Sequence, residues 1–75
     1  PMFADEFTVE KQRILKDKRL KLTLINNGAR FDAIQFNFAG SGYAPRRIHA
    51  AYRLDINEYL GTASVQLLLE YFETA

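Results

Sequence analysis

Leu20, Leu22 and Leu24 are separated by Lys21 and Thr23, so apolar and polar side chains alternate at every step. A period of two points successive side chains to opposite faces of a strand, one for a core and one for water. The same alternation runs through Ile48, Ala50, Tyr52, Leu54 and Ile56, and again through Val65, Leu67, Leu69 and Tyr71. Residues 7–15 and 30–38 are rich in β-formers and predict two further strands. No segment sustains a helical period. Five strands in 75 residues leave no room for long crossovers, which predicts an all-β fold, a small antiparallel barrel or sandwich with little or no helix.

Two turns fix the pairing. Glycine at Leu60-Gly61 supplies the positive φ of a tight hairpin. Centred there, the strands pair Ile56 with Val65, Leu54 with Leu67, Tyr52 with Leu69 and Ala50 with Tyr71, all apolar and all on one side. The other side pairs Asn57 with Ser64, Asp55 with Gln66 and Arg53 with Leu68. A slip of one residue would set one strand's core face against the other's solvent face. The polar crowding of Arg53, Asp55, Asn57, Glu58 and Tyr59 is therefore the outside of a hairpin and its turn, not a catalytic cluster. Asn27-Gly28 is the strongest short hairpin signal. It places Leu24 opposite Phe31 and Leu22 opposite Ala33 on the core side. The outer side then carries Arg19, Lys21, Thr23, Arg30, Asp32, Ile34 and Phe36, and centring the turn on Asn26-Asn27 leaves these faces unchanged.

Composition is that of an ordinary single globular domain, 48% hydrophobic and 25% charged. The absence of cysteine excludes a disulfide scaffold and thiolate zinc sites, and suits a cytoplasmic protein. No apolar run reaches the roughly 20 residues of a membrane helix, so no membrane partner is expected. The first residue is Pro1, which reads as a piece of a longer protein. A net charge of +1 says little, but its distribution does more. Between Lys11 and Arg30, the cations Lys11, Arg13, Lys16, Lys18, Arg19, Lys21 and Arg30 stand against Asp17 alone, a basic face on a nearly neutral domain. Lysines guarding a strand edge would give the same pattern.

Catalytic chemistry is hard to assemble from these residues. His49, the single histidine, alternates outward without a triad or metal partner near it in sequence. Asp55 and Glu58 are better explained as hairpin rim than as magnesium ligands. The glycines of residues 40–42 lack the lysine and following helix of a phosphate loop. Ser41 and Ser64 have no nucleophile-elbow context. Binding remains. An OB-fold is a five-stranded barrel that holds single strands on the face of strands 2 and 3, between the 1–2 and 4–5 loops. On that plan Arg19, Lys21, Thr23 and Arg30 lie on the face, Lys16 and Lys18 in the first loop, and Tyr59 at the tip of the second. Cations follow phosphates, and an aromatic ring stacks on a base. Phe36 is either such a stacking platform or, if strand 3 changes face at a bulge, part of the core with Ile34 and Phe38. Tyr43, Arg46 and Arg47 fall in the loop between strands 3 and 4, where a solvated role is the simpler reading.

The stretches "LKLTL", "FDAIQFN" and "AYRLDINEYLG…SVQLLLE", in this order and spacing, resemble the C-terminal OB-type domain of the RecJ family of single-stranded-DNA-specific exonucleases. The opening "PMFADEF" is similar to the segment joining that domain to the catalytic core, so residues 1–6 are expected to belong to the connection. The resemblance spans essentially the whole chain. It implies an OB-like barrel appended to a nuclease that degrades single strands from the 5′ end in recombination and repair. The magnesium or manganese of such a nuclease sits in its DHH-type core, whose Asp and His motifs have no counterpart here, so no cofactor is expected in this domain. The implied role is to grip single-stranded DNA through Lys16, Lys18, Arg19, Lys21, Arg30, Phe36, Arg53 and Tyr59. The alternative is to brace the catalytic core or dock on single-strand-binding protein, for which outward Leu68 beside Arg53 speaks. Residues 39–47 are shorter than the connection expected there, so the usual small helix between strands 3 and 4 is expected to be reduced or missing.

Overall fold

The computed structural model describes residues 1–16, 18–36, 38 and 43–75. Among these, five strands form and no helix: β1 (Phe3–Ile14), β2 (Leu20–Asn26), β3 (Ala29–Gln35), β4 (Arg47–Tyr59) and β5 (Thr62–Thr74). They close into a barrel in the order β1-β2-β3-β5-β4, with β4 returning to β1. Closure removes the exposed edges that an open five-stranded sheet would carry. Four of the contacts are antiparallel. The fifth, β3 with β5, is parallel from Asp32 opposite Gln66 to Ile34 opposite Leu68, so the expected antiparallel barrel is a mixed one. β1 begins at Phe3 rather than residue 7, because residues 3–6 pair with Tyr52 to His49 of β4. β3 stops at Gln35, three residues short of the expected end.

Both predicted turns are present. Asn27 and Gly28 have φ of 49° and 79°, and Leu60 and Gly61 have 50° and 79°, the left-handed pair that matches the twist of a two-residue hairpin. The β2–β3 register has Leu24 opposite Phe31 and Leu22 opposite Ala33, as read from the sequence. Inside the barrel Leu20, Leu22, Leu24, Ala33, Ile48, Ala50, Leu67 and Leu69 are buried with Phe7 and Val9 of β1. Phe31, Phe38, Tyr52 and Phe72 are half-buried against them. Phe7 meets Phe31 and Tyr52 edge to face, and Phe38 stacks on Phe72 at 6.4 Å.

Two bulges break the alternation, and each changes which side chains face water. In β1, Val9 pairs with Leu24 and Lys11 with Thr23, leaving Glu10 without an opposite number. Strict alternation would carry Phe7 and Val9 on to Lys11 and Arg13 inside the barrel. The extra residue turns those two cations outward and brings Gln12 inward. In β5, Ala51 pairs with Tyr71 but Tyr52 with Leu69, skipping Glu70. Ala50 therefore faces Phe72, not Tyr71 as the alternation predicted, and Tyr71 is exposed with its hydroxyl donating to Glu73 at 2.8 Å.

Gln12 uses its inward position to hold the chain between β3 and β4. Its Nε2 donates to the Ala44 carbonyl at 2.9 Å, and the Ala44 N–H donates to its Oε1 at 2.7 Å. The Val9 N–H donates to the Arg46 carbonyl at 2.7 Å. This leads into Arg47 at the start of β4, whose guanidinium reaches Glu6 at 3.0 Å. Residues 43–46 are not helical, while residues 40–42, with Ser41 and the glycine pair, lie outside the described residues. No helix among the described residues is long and apolar enough to cross a membrane.

Candidate nucleic-acid interface

The outer faces of β1, β2 and β3 line up by register. One row runs Arg13, Lys21, Ile34, Leu68, Arg53 across four strand contacts. The next runs Lys11, Thr23, Asp32, Gln66, Asp55. A shallow depression of about 320 Å³ between β1 and β2 is lined by Lys11, Gln12, Arg13, Lys21, Leu22 and Thr23. Lys11, Arg13 and Lys21 thus form a compact cationic patch. None of the three comes within 4 Å of a carboxylate oxygen among the described residues, although the charge of Lys11 helps hold the neighbouring Glu10 carboxyl down.

The β1–β2 loop continues the patch at the end where β3 finishes. The Leu15 N–H donates to the Arg19 carbonyl at 2.8 Å and the Lys18 N–H to the Leu15 carbonyl at 3.2 Å, which closes a tight reversal. Lys18 takes a φ of 63° to complete it. Its carbonyl accepts from the Phe38 N–H at 2.7 Å, tying the loop to the chain after β3. Lys16 and Lys18 are exposed on this anchored loop and Arg19 is half-exposed. The ladder beyond Leu20 and Gln35 leads to Arg19 and Phe36, so the aromatic stands at the same end.

Phe36 is 54% exposed, and no bulge interrupts the β2–β3 register. The core alternative for this ring is thereby excluded. Ile34 faces outward by register yet is only 5% exposed, between Lys21 and half-buried Leu68. It gives the strip an apolar floor, and Leu68 is part of that floor rather than an isolated surface leucine. Phe38 takes the core position instead, against Phe72.

The remaining expected site residues divide. Arg30 lies on the same outer face, but it forms a two-bonded pair with Glu10 at 2.7 and 2.8 Å. The Arg30 guanidinium holds the Glu10 carboxyl below its ordinary value, chiefly through this hydrogen bond. Arg53 pairs with Glu70 at 2.9 Å. Each bulged glutamate thus meets an arginine, and both arginines have their charge balanced locally. Tyr59 is 77% exposed at the tip of the β4–β5 hairpin, at the opposite end from the β1–β2 loop. The structure therefore gathers Lys16, Lys18, Arg19, Lys21 and Phe36, pairs Arg30 and Arg53 with acids, and sets Tyr59 apart. Lys11 and Arg13 join the patch without having been singled out as site residues. The signal for them was present: two charges at the parity of buried Phe7 and Val9 demand a register shift before them. Among the described residues no three His, Cys, Asp or Glu side chains come together as metal ligands.

The family model described as the RecJ OB domain matches residues 1–71. The single-stranded-DNA-specific exonuclease RecJ of Dickeya dadantii is 34% identical over 76 residues, covering 95% of this chain and 13% of that protein. The RecJ of Haemophilus influenzae is 34% identical over 80 residues, covering 97% and 14%. That of Escherichia coli is 31% identical over 75 residues, covering 93% and 13%. This chain therefore spans about an eighth of the length of these curated relatives. Among solved structures, RecJ of Thermus thermophilus in complex with Mn2+ superimposes with a TM-score of 0.70 at 19% identity, covering all of this chain and 11% of that one. At that identity the likeness supports the fold.

Proposed function

This chain belongs to the family of RecJ OB domains, and from that premise we propose that it grips single-stranded DNA for a RecJ-like 5′-to-3′ exonuclease without cutting it. The observation that carries the reading is the patch of Lys11, Arg13 and Lys21 continued by Lys16, Lys18 and Arg19 and ended by exposed Phe36. The cations neutralise successive phosphates of a strand laid across β1 and β2. The Phe36 ring offers one base a stacking face, and the apolar floor of Ile34 and Leu68 lies beneath the path. Contacts made by cations to phosphates and by a ring to a base face are tolerant of sequence, so binding has little base preference. Tyr59 is a second stacking position at the far end of the same outer surface. Hydrolysis, with its magnesium or manganese, belongs in this reading to a catalytic core outside these residues.

Titration with a fluorescent oligo-dT at two salt concentrations tests this. Affinity is expected to fall steeply as salt rises, because each phosphate neutralised releases counterions. Phe36→Ala is expected to weaken binding about 5-fold or more by the same factor at both salts, as loss of a stacked base does. Binding that ignores salt, or a Phe36→Ala protein that binds as the parent does, would contradict the proposal.

A further inference from the structure

Arg30 stands on β3 and Glu10 on β1, with β2 lying between them. Neighbouring strands are about 4.8 Å apart, so the two side chains meet across roughly 10 Å of sheet. Their contact passes over the outward side of β2, where Thr23 and Ile25 are half-buried. It is two-bonded. The Arg30 Nε donates to one Glu10 carboxylate oxygen at 2.8 Å and its Nη2 to the other at 2.7 Å.

Glu10 reaches that far because it is the extra residue of a bulge. A residue in register has a cross-strand neighbour beside it on the same face, which confines its side chain. Glu10 has no such partner in β2, since Val9 and Lys11 take the successive positions Leu24 and Thr23. The same construction recurs at the second bulge, where Glu70, the residue skipped in β5, holds Arg53 at 2.9 Å. Both extra residues are glutamates, and each neutralises an arginine of the outer surface. These arginines border the cationic strip and its apolar floor. Arg53 ends the row that begins with Arg13 and Lys21, and Arg30 stands one row beyond Lys11 and Thr23.

A guanidinium held by both oxygens of a carboxylate presents the same pair of N–H groups that it would offer to two oxygens of a phosphate. Glu10 thus occupies the place of a phosphate on a cation at the edge of the strip. We infer that Glu10 withholds Arg30 from bound single-stranded DNA and so limits how tightly this face holds it. The inference rests on the DNA-binding reading above and deepens it, by assigning the residue that sets the strength of the grip. A strand drawn forward as nucleotides leave its end has to break each contact in turn. Affinity differences within one interface lie mostly in the rate of release, so one more fixed arginine would slow that step.

Oligo-dT titrations of the 75-residue chain across a salt series, for the parent, Glu10→Gln, Arg30→Gln and Glu10→Gln/Arg30→Gln, test this. A freed arginine adds one phosphate contact. Glu10→Gln is therefore expected to steepen the slope of log K against log salt by about 0.7 and to tighten binding about 5-fold at 0.1 M salt. Arg30→Gln and the double variant are expected to keep the parent's slope, because a withheld arginine contributes nothing to it. Parental slope and affinity in Glu10→Gln overturn the inference. So does an equal steepening on Glu10→Gln in the Arg30→Gln background, which would make Glu10 a repelling charge and not the holder of Arg30. A flatter slope in Arg30→Gln alone also overturns it, since Arg30 would then already lie on a phosphate. In each of these cases the parent still binds with a salt dependence, and the DNA-binding reading survives. A parent without salt-dependent binding removes that reading and the inference together. Folding of the variants is checked by an unchanged circular dichroism spectrum, and Glu10→Ala repeats the test should Glu10→Gln fail that check.

Discussion

Replacing Gln12 by leucine tests how the barrel is closed at the end where β3 passes to β4. The side-chain amide makes both hydrogen bonds of the Ala44 backbone, at 2.7 and 2.9 Å, and Ala44 is 7% exposed. Leucine removes both partners and leaves a nearly buried N–H and C=O unsatisfied. Each such group costs about 1–3 kcal/mol, less where water can reach it. Gln12 is only half-buried and borders the depression between β1 and β2, so a combined loss of about 2–4 kcal/mol is expected. A domain of this length has a total stability of about 4–11 kcal/mol, and the change lowers Tm by roughly 10–25 °C. Urea and thermal melts followed by far-ultraviolet circular dichroism measure it. Gln12→Glu sharpens the test. Facing the Ala44 carbonyl, its carboxyl is expected to titrate above the ordinary value of about 4.3. A raised folded pKa means the stabilisation is complete below the unfolded value and is lost as pH rises through the folded one. Gln12→Glu should therefore approach the parent at pH ~4 and fall toward Gln12→Leu at pH ~7. A Gln12→Leu protein within about 1 kcal/mol of the parent, or a Gln12→Glu protein whose deficit does not change with pH, would refute the clamp.

Three further outcomes are expected. Tyr52 is pushed up to about 12 by burial first and then by donating to Asp5 at 2.6 Å, so an ultraviolet titration should show one tyrosine ionising well above the ordinary value, a step that Tyr52→Phe removes. Its pKa is raised on folding, so its contribution is complete below pH ~10 and is lost as pH climbs toward the folded value, a decline of about 1–2 kcal/mol that Tyr52→Phe should abolish. Glu10, held down by Arg30, stabilises the fold above the ordinary carboxylate range and loses that contribution as pH falls through its lowered value. Carbon-detected NMR should find its carboxyl titrating below the ordinary glutamate value, and Arg30→Gln should return it toward that value. Leu60→Asn relieves the left-handed strain at the turn and is expected to stabilise the isolated 75-residue chain by about 1 kcal/mol in urea melts.

The parts of the fold that local chemistry dictates were legible in the sequence. Asn27-Gly28 and Leu60-Gly61 are turns because only certain residues accept positive φ cheaply, and each turn fixes the register of the strands it joins. Leu20, Leu22 and Leu24 are core because their neighbours cannot be. What escaped depends on non-local geometry. A bulge adds one residue to one strand, and its place is set by how the barrel curves, so Tyr71 was assigned inward where Phe72 takes the position. The bulge at Glu10 likewise hid Lys11 and Arg13 from the outer face, although their charge beside Phe7 and Val9 announced a change of parity. Alternation also says nothing about where a neighbouring strand ends, which is why Leu54, Ile56 and Val65 keep the inward parity and still meet water. For the candidate interface, the loop lysines, Lys21 and the outward Phe36 could be placed from the hairpin alone. The pairing of Arg30 with Glu10 and Arg53 with Glu70 could not, since it joins strands distant in sequence.

The claim on which the functional account turns is that Lys11, Arg13 and Lys21 of β1 and β2 hold the phosphates of a single strand. Its most direct test is the slope of log K against log salt for oligo-dT, measured for the parent, for Arg13→Ala/Lys21→Ala, and for Glu10→Gln/Arg30→Gln. Each phosphate contact on a single strand contributes about 0.7 to that slope, so losing Arg13 and Lys21 should flatten it by about 1.4 and weaken binding roughly 25-fold at 0.1 M salt. Removing the Glu10–Arg30 pair leaves the net charge unchanged and should leave the slope nearly so. If the Arg13→Ala/Lys21→Ala protein, correctly folded, kept the parent's slope and affinity, the strand would not run across this face.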